Sequence, residues 1–209
     1  MRRLGLLAAL VFCLQVTGCT KDMALIKGQT DIVTSGNSIV LMPVNISNKS
    51  NPGFTPCLLQ AKITGAENQS VNLDVTPFKA VELDHNEYLL SFSLSPGQYT
   101  VSELSCMAKA GPFFVATCMV PLNAAITVNP NSIQYVGQVN TYVKDRTDDN
   151  EGRAGGLFPI LQQTTSGFFN GTFVTKIEDR YEEDIAKYRS EFPGLEKLKI
   201  EKTISLTPR

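Results

Sequence analysis

Apolar residues recur at every second position through the middle of this chain. The segments with this pattern are 59–63, 71–75, 88–94, 122–128 and 133–143. A β-strand places successive side chains on opposite faces, so each segment predicts a half-buried strand. Turn sequences separate them, such as Ser95-Pro96-Gly97-Gln98 and Asn129-Pro130-Asn131-Ser132. Many short strands joined by turns predict a mainly β fold, an antiparallel sandwich.

The segment from Ile39 to Ile46 is apolar at almost every position. A strand that is buried on both faces has this composition, so the segment predicts a central strand. Pro43 lies within it and has no backbone N–H to donate to a neighbouring strand. The proline therefore favours a sheet edge or a bulge at this point.

The C-terminal third follows a different pattern. Apolar side chains at helical spacing predict one amphipathic helix over about residues 179–192. They are Ile177, Tyr181, Ile185, Tyr188 and Phe192. Asp179 and Glu182 have the spacing of a capping box. Alternation over 198–206 then predicts a final strand, so that residues 38–209 form one domain.

Composition limits the classes of function. The chain has 209 residues, 43% of them hydrophobic and 19% charged, with a formal net charge of −1. This composition supports a folded core and gives no overall positive field for binding nucleic acid. A single histidine, His85, excludes metal sites that need two or more histidines.

The first residues have the pattern of an export signal. Met1–Arg3 is basic, and Leu4–Val16 is apolar but shorter than the roughly 20 residues of a transmembrane helix. The sequence Val16-Thr17-Gly18-Cys19 resembles the lipobox of bacterial lipoproteins. The resemblance implies a signal peptide over 1–18, acylation of Cys19 with palmitate or similar chains, and a tether over 19–37. Thr20 follows the cysteine, and in that family a residue other than Asp there favours the outer membrane. We expect the chain to lie on the periplasmic side of that membrane.

Two hairpin-like segments carry a second resemblance. Residues 88–101 and 126–139 each resemble a strand, turn and returning strand of transthyretin-like and carboxypeptidase-regulatory-like sandwiches, which are immunoglobulin-like in architecture. In bacterial lipoproteins such domains bind, space or scaffold. The resemblance therefore implies a β-sandwich that brings no catalytic residues and no cofactor.

Three cysteines remain after Cys13 and Cys19 are set aside. An oxidising periplasm favours a disulfide between two of them. Cys106 and Cys118 flank a turn sequence around Gly111-Pro112, so they are the favoured pair. A bond between Cys57 and Cys106 is the alternative.

Other candidate sites are weaker. Asp145, Asp148 and Asp149 crowd oxygen ligands that calcium favours, although their spacing differs from an EF-hand, and a solvated acidic loop is the alternative. His85 lies in a predicted turn. Four phenylalanines offer apolar surface for a hydrophobic ligand: Phe113, Phe114, Phe168 and Phe169.

These features together predict a non-enzymatic envelope lipoprotein with an accessory or scaffold role. Its partners would be the membrane, through the lipid, and an envelope protein or peptidoglycan. One alternative is a carrier of a lipid or another small hydrophobic ligand. Another is an envelope hydrolase that uses His85 or the helix carboxylates Asp179 and Asp184.

Overall fold

A computed structural model describes residues 20–21, 23–34, 36–65, 70–74, 81–83, 86–110, 113–156 and 164–204. The strands are β1 (Thr20–Lys21), β2 (Ser38–Asn48), β3 (Thr55–Gly65), β4 (Ser70–Asp74), β5 (Val81–Glu82), β6 (Glu87–Leu94), β7 (Gly97–Ala110), β8 (Phe113–Val128), β9 (Ile133–Tyr135), β10 (Gln138–Asp145), β11 (Gly171–Glu178) and β12 (Glu201–Lys202). One α-helix, α1, spans Tyr181–Glu191 and precedes a 3₁₀ turn at Pro193–Leu195.

The strands form two sheets. Sheet A has the order β1-β4-β3-β7-β8, and sheet B has the order β11-β10-β2-β6-β5, with β9 and β12 continuing it beside β2. The predicted mainly β sandwich with one C-terminal helix and a final strand is confirmed. The sheets are mixed, because β2 pairs in parallel with β9 and β10, and β1 pairs in parallel with β4.

The edge strands of the two sheets lie next to each other on each side of the sandwich. The Met119 N–H of β8 donates to the Ala154 carbonyl at 2.9 Å, and the Ala154 N–H donates to Gly171 of β11 at 2.8 Å. Strands β8 and β11 therefore share one side of the sandwich, which we call the loop side. Strands β1, β4 and β5 lie at the opposite side.

Strand β2 is central, as its composition predicts, and both of its faces are buried. Val40, Met42, Val44 and Ile46 belong to the core between the sheets. Ile39 and Leu41 belong to a second core on the other face of sheet B. The alternation of a strand explains this division, and the fold consequently has three layers: sheet A, sheet B and α1.

Pro43 lies in this central strand, so of the two predicted alternatives, an edge or a bulge, the edge is wrong. Leu41 pairs with Tyr135 and Val44 with Val139, so the neighbouring segment has one extra residue beside Pro43, as in a bulge. The Val136 N–H donates to the Leu41 carbonyl at 3.2 Å, which shows that residue 41 points its backbone groups toward β9 and β10. Residue 43, two positions on, points the same way. It faces the break between β9 and β10, where Gly137 has a φ of 107°. The backbone N–H that proline lacks would point to a place where the neighbouring strands make no regular hydrogen bonds.

Helix α1 packs on the outer face of sheet B. The Tyr188 hydroxyl donates to the Leu90 carbonyl of β6 at 2.6 Å, and the Tyr188 and Phe192 rings stack at 5.9 Å. The predicted capping box does not form: α1 begins two residues after Asp179, with Arg180 at the N-cap and no side-chain cap. The Asp179 carboxylate accepts from the Tyr181 N–H at 3.3 Å and pairs with Lys202.

Residues 23–34 lie against the domain, which corrects the prediction of a tether over 19–37. Leu25 is 1% exposed and belongs to the core between sheet B and α1. The Ala24 N–H donates to the Ser91 carbonyl and the Leu25 N–H to the Ser91 hydroxyl, both at 2.9 Å. The apolar residues of this segment stand in two short groups, Met23–Ile26 and Ile32–Val33, and so show no period that would reveal their burial.

The segment from residue 20 to residue 25 joins the two sheets. Thr20 and Lys21 pair with Asn72 and Leu73 of β4 in sheet A. Ala24 then bonds to β6 in sheet B. We call this side of the sandwich, formed by β1, β4, β5 and residues 20–28, the anchor side. In the described part of the chain, no helix has both the length and the apolar character needed to span a bilayer.

Candidate functional site

A charged and largely exposed segment on the loop side begins at the last residue of β10 and covers residues 145–156, which we call the loop site. The last pair of the β10–β11 ladder joins Asp145 to Gly171, and the Arg146 N–H then donates to the Asn170 carbonyl at 3.0 Å. An open groove lies along the segment. Its lining residues are Arg146, Asp149, Glu151, Arg153, Gly155 and Gly156.

Two arginines fix the shape of the loop site. Arg146 Nε donates to the Glu151 carbonyl at 2.8 Å, and its Nη2 lies 3.5 Å from Asp149. Arg153 Nη1 donates to the Phe169 carbonyl at 2.8 Å, and its guanidinium lies 4.3 Å from the centre of the Phe169 ring. Planar guanidinium groups suit both kinds of contact. The loop is therefore held by its own side chains and by Phe169, which precedes β11.

The Glu151 carboxylate bonds to a residue that precedes the turn and to the turn itself. Its carboxylate accepts from Lys144 Nζ at 2.7 Å and from the Thr147 N–H at 2.8 Å. The hydrogen bond from Lys144 is the main reason why the pKa of Glu151 lies below its usual value. This carboxylate is therefore charged across the neutral range.

The structure does not bring the calcium candidates together. Asp145 accepts from Ser50, Asp148 accepts from the backbone N–H of Asn150, and Asp149 points into solvent beside Arg146. Within the part of the chain that the structure describes, no three His, Cys, Asp or Glu residues are close enough to hold a metal ion. The carboxylates are instead used by the loop itself.

Sequence reasoning missed Arg146 and Arg153. The segment was interpreted by its acidic residues alone, although arginines stand close to both of its ends. The outcome is an open groove with charges of both signs. Such groups at the rim of an interface orient a partner and raise the association rate, and each adds little affinity.

The predicted cysteine pair lies on adjacent strands. Cys106 of β7 is directly opposite Cys118 of β8, with a Cα–Cα distance of 4.9 Å, and their sulfur atoms are within bonding distance of each other. Cys57 is buried and free. This arrangement favours the Cys106–Cys118 pair over the Cys57–Cys106 alternative.

The phenylalanines offered as a ligand surface have other roles where their side chains are described. Phe168 is buried in the core between the sheets, and Phe169 lies under Arg153. Cys19, His85 and the side chains of Phe113 and Phe114 lie outside the described part of the structure.

The helix carboxylates occupy different environments. Asp179 is at the surface, whereas Asp184 is completely buried between α1 and sheet B. Tyr135 donates its hydroxyl hydrogen to Asp184 Oδ2 at 2.6 Å, and the Arg180 N–H donates to the same tyrosine oxygen at 3.2 Å. Asp184 Oδ1 has no hydrogen-bond partner among the described residues. A buried, half-satisfied carboxylate is costly to ionise.

The burial of Asp184 makes the stability of the fold depend on pH. Burial raises the pKa of this carboxyl above its usual value, although Tyr135, Lys187 and Arg180 oppose the rise. The folded chain therefore holds the proton more tightly than the unfolded chain. The stability from this group is fully present below the unfolded pKa and is lost as the pH rises through the folded pKa.

We expect Asp184→Asn to remove this dependence. Near neutral pH, the free energy of unfolding of the variant should exceed that of wild type by about 1–3 kcal/mol, because no charge is left to bury. Well below the usual aspartate pKa of about 3.9, the difference should shrink, because the wild-type carboxyl is then protonated in the folded and the unfolded chain. Urea unfolding at both pH values measures the effect. A variant that is equally destabilised at both would contradict it.

Comparison with known proteins found no matching family model, no matching curated protein and no matching solved structure. The function must therefore be argued from the residues and the geometry of this chain.

Proposed function

We propose that this chain is a lipid-anchored protein of the bacterial envelope with a non-enzymatic accessory or scaffold role. The observation that carries the proposal is the lipobox-like sequence Val16–Cys19, which ends one residue before β1 begins. Acylation of Cys19 would hold the chain on the periplasmic side of the outer membrane, because more than one acyl chain anchors stably.

The position of β1 suggests which surface meets a partner. Thr20, the residue that follows Cys19 in the sequence, belongs to the anchor side, and the loop site lies on the loop side across the sandwich. An anchored chain would then direct the loop site away from its point of attachment. The groove between Arg146 and Arg153 carries both signs of charge, which suits contact with an envelope protein. Peptidoglycan, which also carries charged peptide groups, is the other candidate partner.

In-cell crosslinking of the lipidated protein tests this proposal. A photoreactive residue would replace Asp149 at the rim of the loop site, and a matched chain would carry it at Gln98, an exposed residue at the start of β7. We expect a discrete adduct from position 149, at least about tenfold stronger than from position 98. A Cys19→Ala version should lose palmitate labelling, membrane association and the adduct.

Several results would contradict the proposal. Wild type that takes up no palmitate label, or Cys19→Ala that stays in the membrane fraction, would overturn the lipid anchor. Equal crosslinking from positions 149 and 98 would overturn the loop site as the contact surface. An adduct that disappears after muramidase digestion would identify peptidoglycan as the partner instead of a protein. Turnover of an envelope substrate by the purified chain would overturn the non-enzymatic role.

A further inference from the structure

An isoleucine is held outward on the anchor side. Ile26 is 73% exposed and begins a tight turn in which the Gln29 N–H donates to its carbonyl at 2.9 Å. The Ile26 N–H is also fixed, because it donates to Gln29 Oε1 at 3.0 Å. The next residue, Lys27, is largely exposed and lies 2.7 Å from Glu191.

The turn is fixed to the end of α1. The Gly28 N–H donates to the Glu191 carbonyl at 2.8 Å, and Gly28 has a φ of 78°, which glycine adopts without strain. Leu25, immediately before the turn, is buried under the helix. The turn is consequently a rigid feature, and the exposure of Ile26 is not the result of a loose end.

Ile26 is also close to the expected lipid. It follows Cys19 by seven residues, so even a fully extended chain would place it within about 25 Å of that residue. The path is shorter than this limit, since β1 pairs with β4 and Ala24 bonds to β6. Both of these contacts are on the anchor side. The exposed isoleucine and the proposed acyl chains therefore leave the sandwich on the same side.

We propose that the anchor side rests on the bilayer, with Ile26 in the lipid interface. This inference rests on the proposed acylation of Cys19. Because β1 begins directly after Cys19, little free chain separates the lipid from the domain. A short connection gives the turn a high effective concentration at the membrane, so a small contact is sufficient to orient the domain. A second copy or a protein partner on Ile26 would be a different outcome of the same test.

The test compares Ile26 with an exposed apolar residue on the other side. Met119 of β8 is 51% exposed and lies on the loop side. Ile26→Cys and Met119→Cys would each be made in a Cys57→Ala background, purified in lipidated form and labelled with an environment-sensitive fluorophore. The proteins would be reconstituted in vesicles of phosphatidylethanolamine and phosphatidylglycerol with nitroxide-labelled lipid. We expect at least about threefold stronger quenching at position 26 than at position 119, as for a group in the membrane interface.

Mass spectrometry of each preparation separates the possible failures. If Cys19 carries no acyl chains, the proposed function fails and this inference fails with it. If Cys19 is acylated and the protein is bound to vesicles, equal quenching at positions 26 and 119 overturns the orientation alone. The label at position 26 could also be shielded from solvent only at high protein density and without quenching by lipid. This result would show that a second copy covers the turn, and it would overturn the proposed orientation as well.

Discussion

Replacing Leu25 by alanine is expected to lower the free energy of unfolding by about 2–5 kcal/mol, the usual cost of truncating a buried leucine. Leu25 lies between sheet B and α1, and its N–H is bonded to Ser91. The truncation leaves a cavity in a core that also contains Phe192 and Leu195. Urea or thermal unfolding of the variant measures the loss.

The neighbouring residue supplies the control. Ile26→Ala removes the same kind of side chain from an exposed position, so it should change stability by no more than about 0.5 kcal/mol. If Leu25→Ala were as harmless as Ile26→Ala, residues 23–34 would be a free tether and the packing of this segment would be wrong.

Replacing Tyr188 by alanine should have an effect of similar or greater size. Its side chain is completely buried, stacks on Phe192 and bonds through its hydroxyl to the Leu90 carbonyl. We expect a loss of about 3–5 kcal/mol from truncation of this large aromatic residue. Tyr188→Phe keeps the ring and should cost about 1–3 kcal/mol, because the buried carbonyl then loses its donor.

Arg189 is the matched position for this experiment. It follows Tyr188 on the same helix and is exposed, so Arg189→Ala should alter stability by no more than about 0.5 kcal/mol. Equal unfolding midpoints for Tyr188→Ala and Arg189→Ala would mean that α1 does not pack on sheet B through this face.

The strands could be predicted because a strand with one buried face alternates apolar and polar residues along the sequence. Residues 122–128 alternate, and in β8 Leu122, Ala124 and Ile126 are buried. Residues 88–94 also form a strand, β6, but the prediction that it is half-buried is wrong, because both of its faces are buried. The absence of alternation in 39–46 correctly indicated a central strand. The effect of Pro43 could not be predicted, since it depends on a break in a neighbouring strand almost a hundred residues away in the chain.

The candidate site was less predictable for a similar reason. The acidic residues of 145–156 were visible in the sequence, but Ser50, the partner of Asp145, lies 95 residues away in the chain. Asp184 did carry a signal, because it stands four residues before Tyr188 and so falls near the buried face of α1. Its burial was missed because a carboxylate on a helix is usually exposed.

The pairing of residues 20–25 with both sheets also determines how the domain would respond to a pull on residue 19. Strand β1 is only two residues long, whereas Leu25 and the turn after it are bonded to β6 and α1. A load on this end would therefore peel β1 from β4 first and stop at Leu25. Release of residues 20–24 would extend the chain by up to about 17 Å while the sandwich stays folded. The N-terminal segment would thus detach first under tension and lengthen the connection to residue 19, while the core of the domain stays folded.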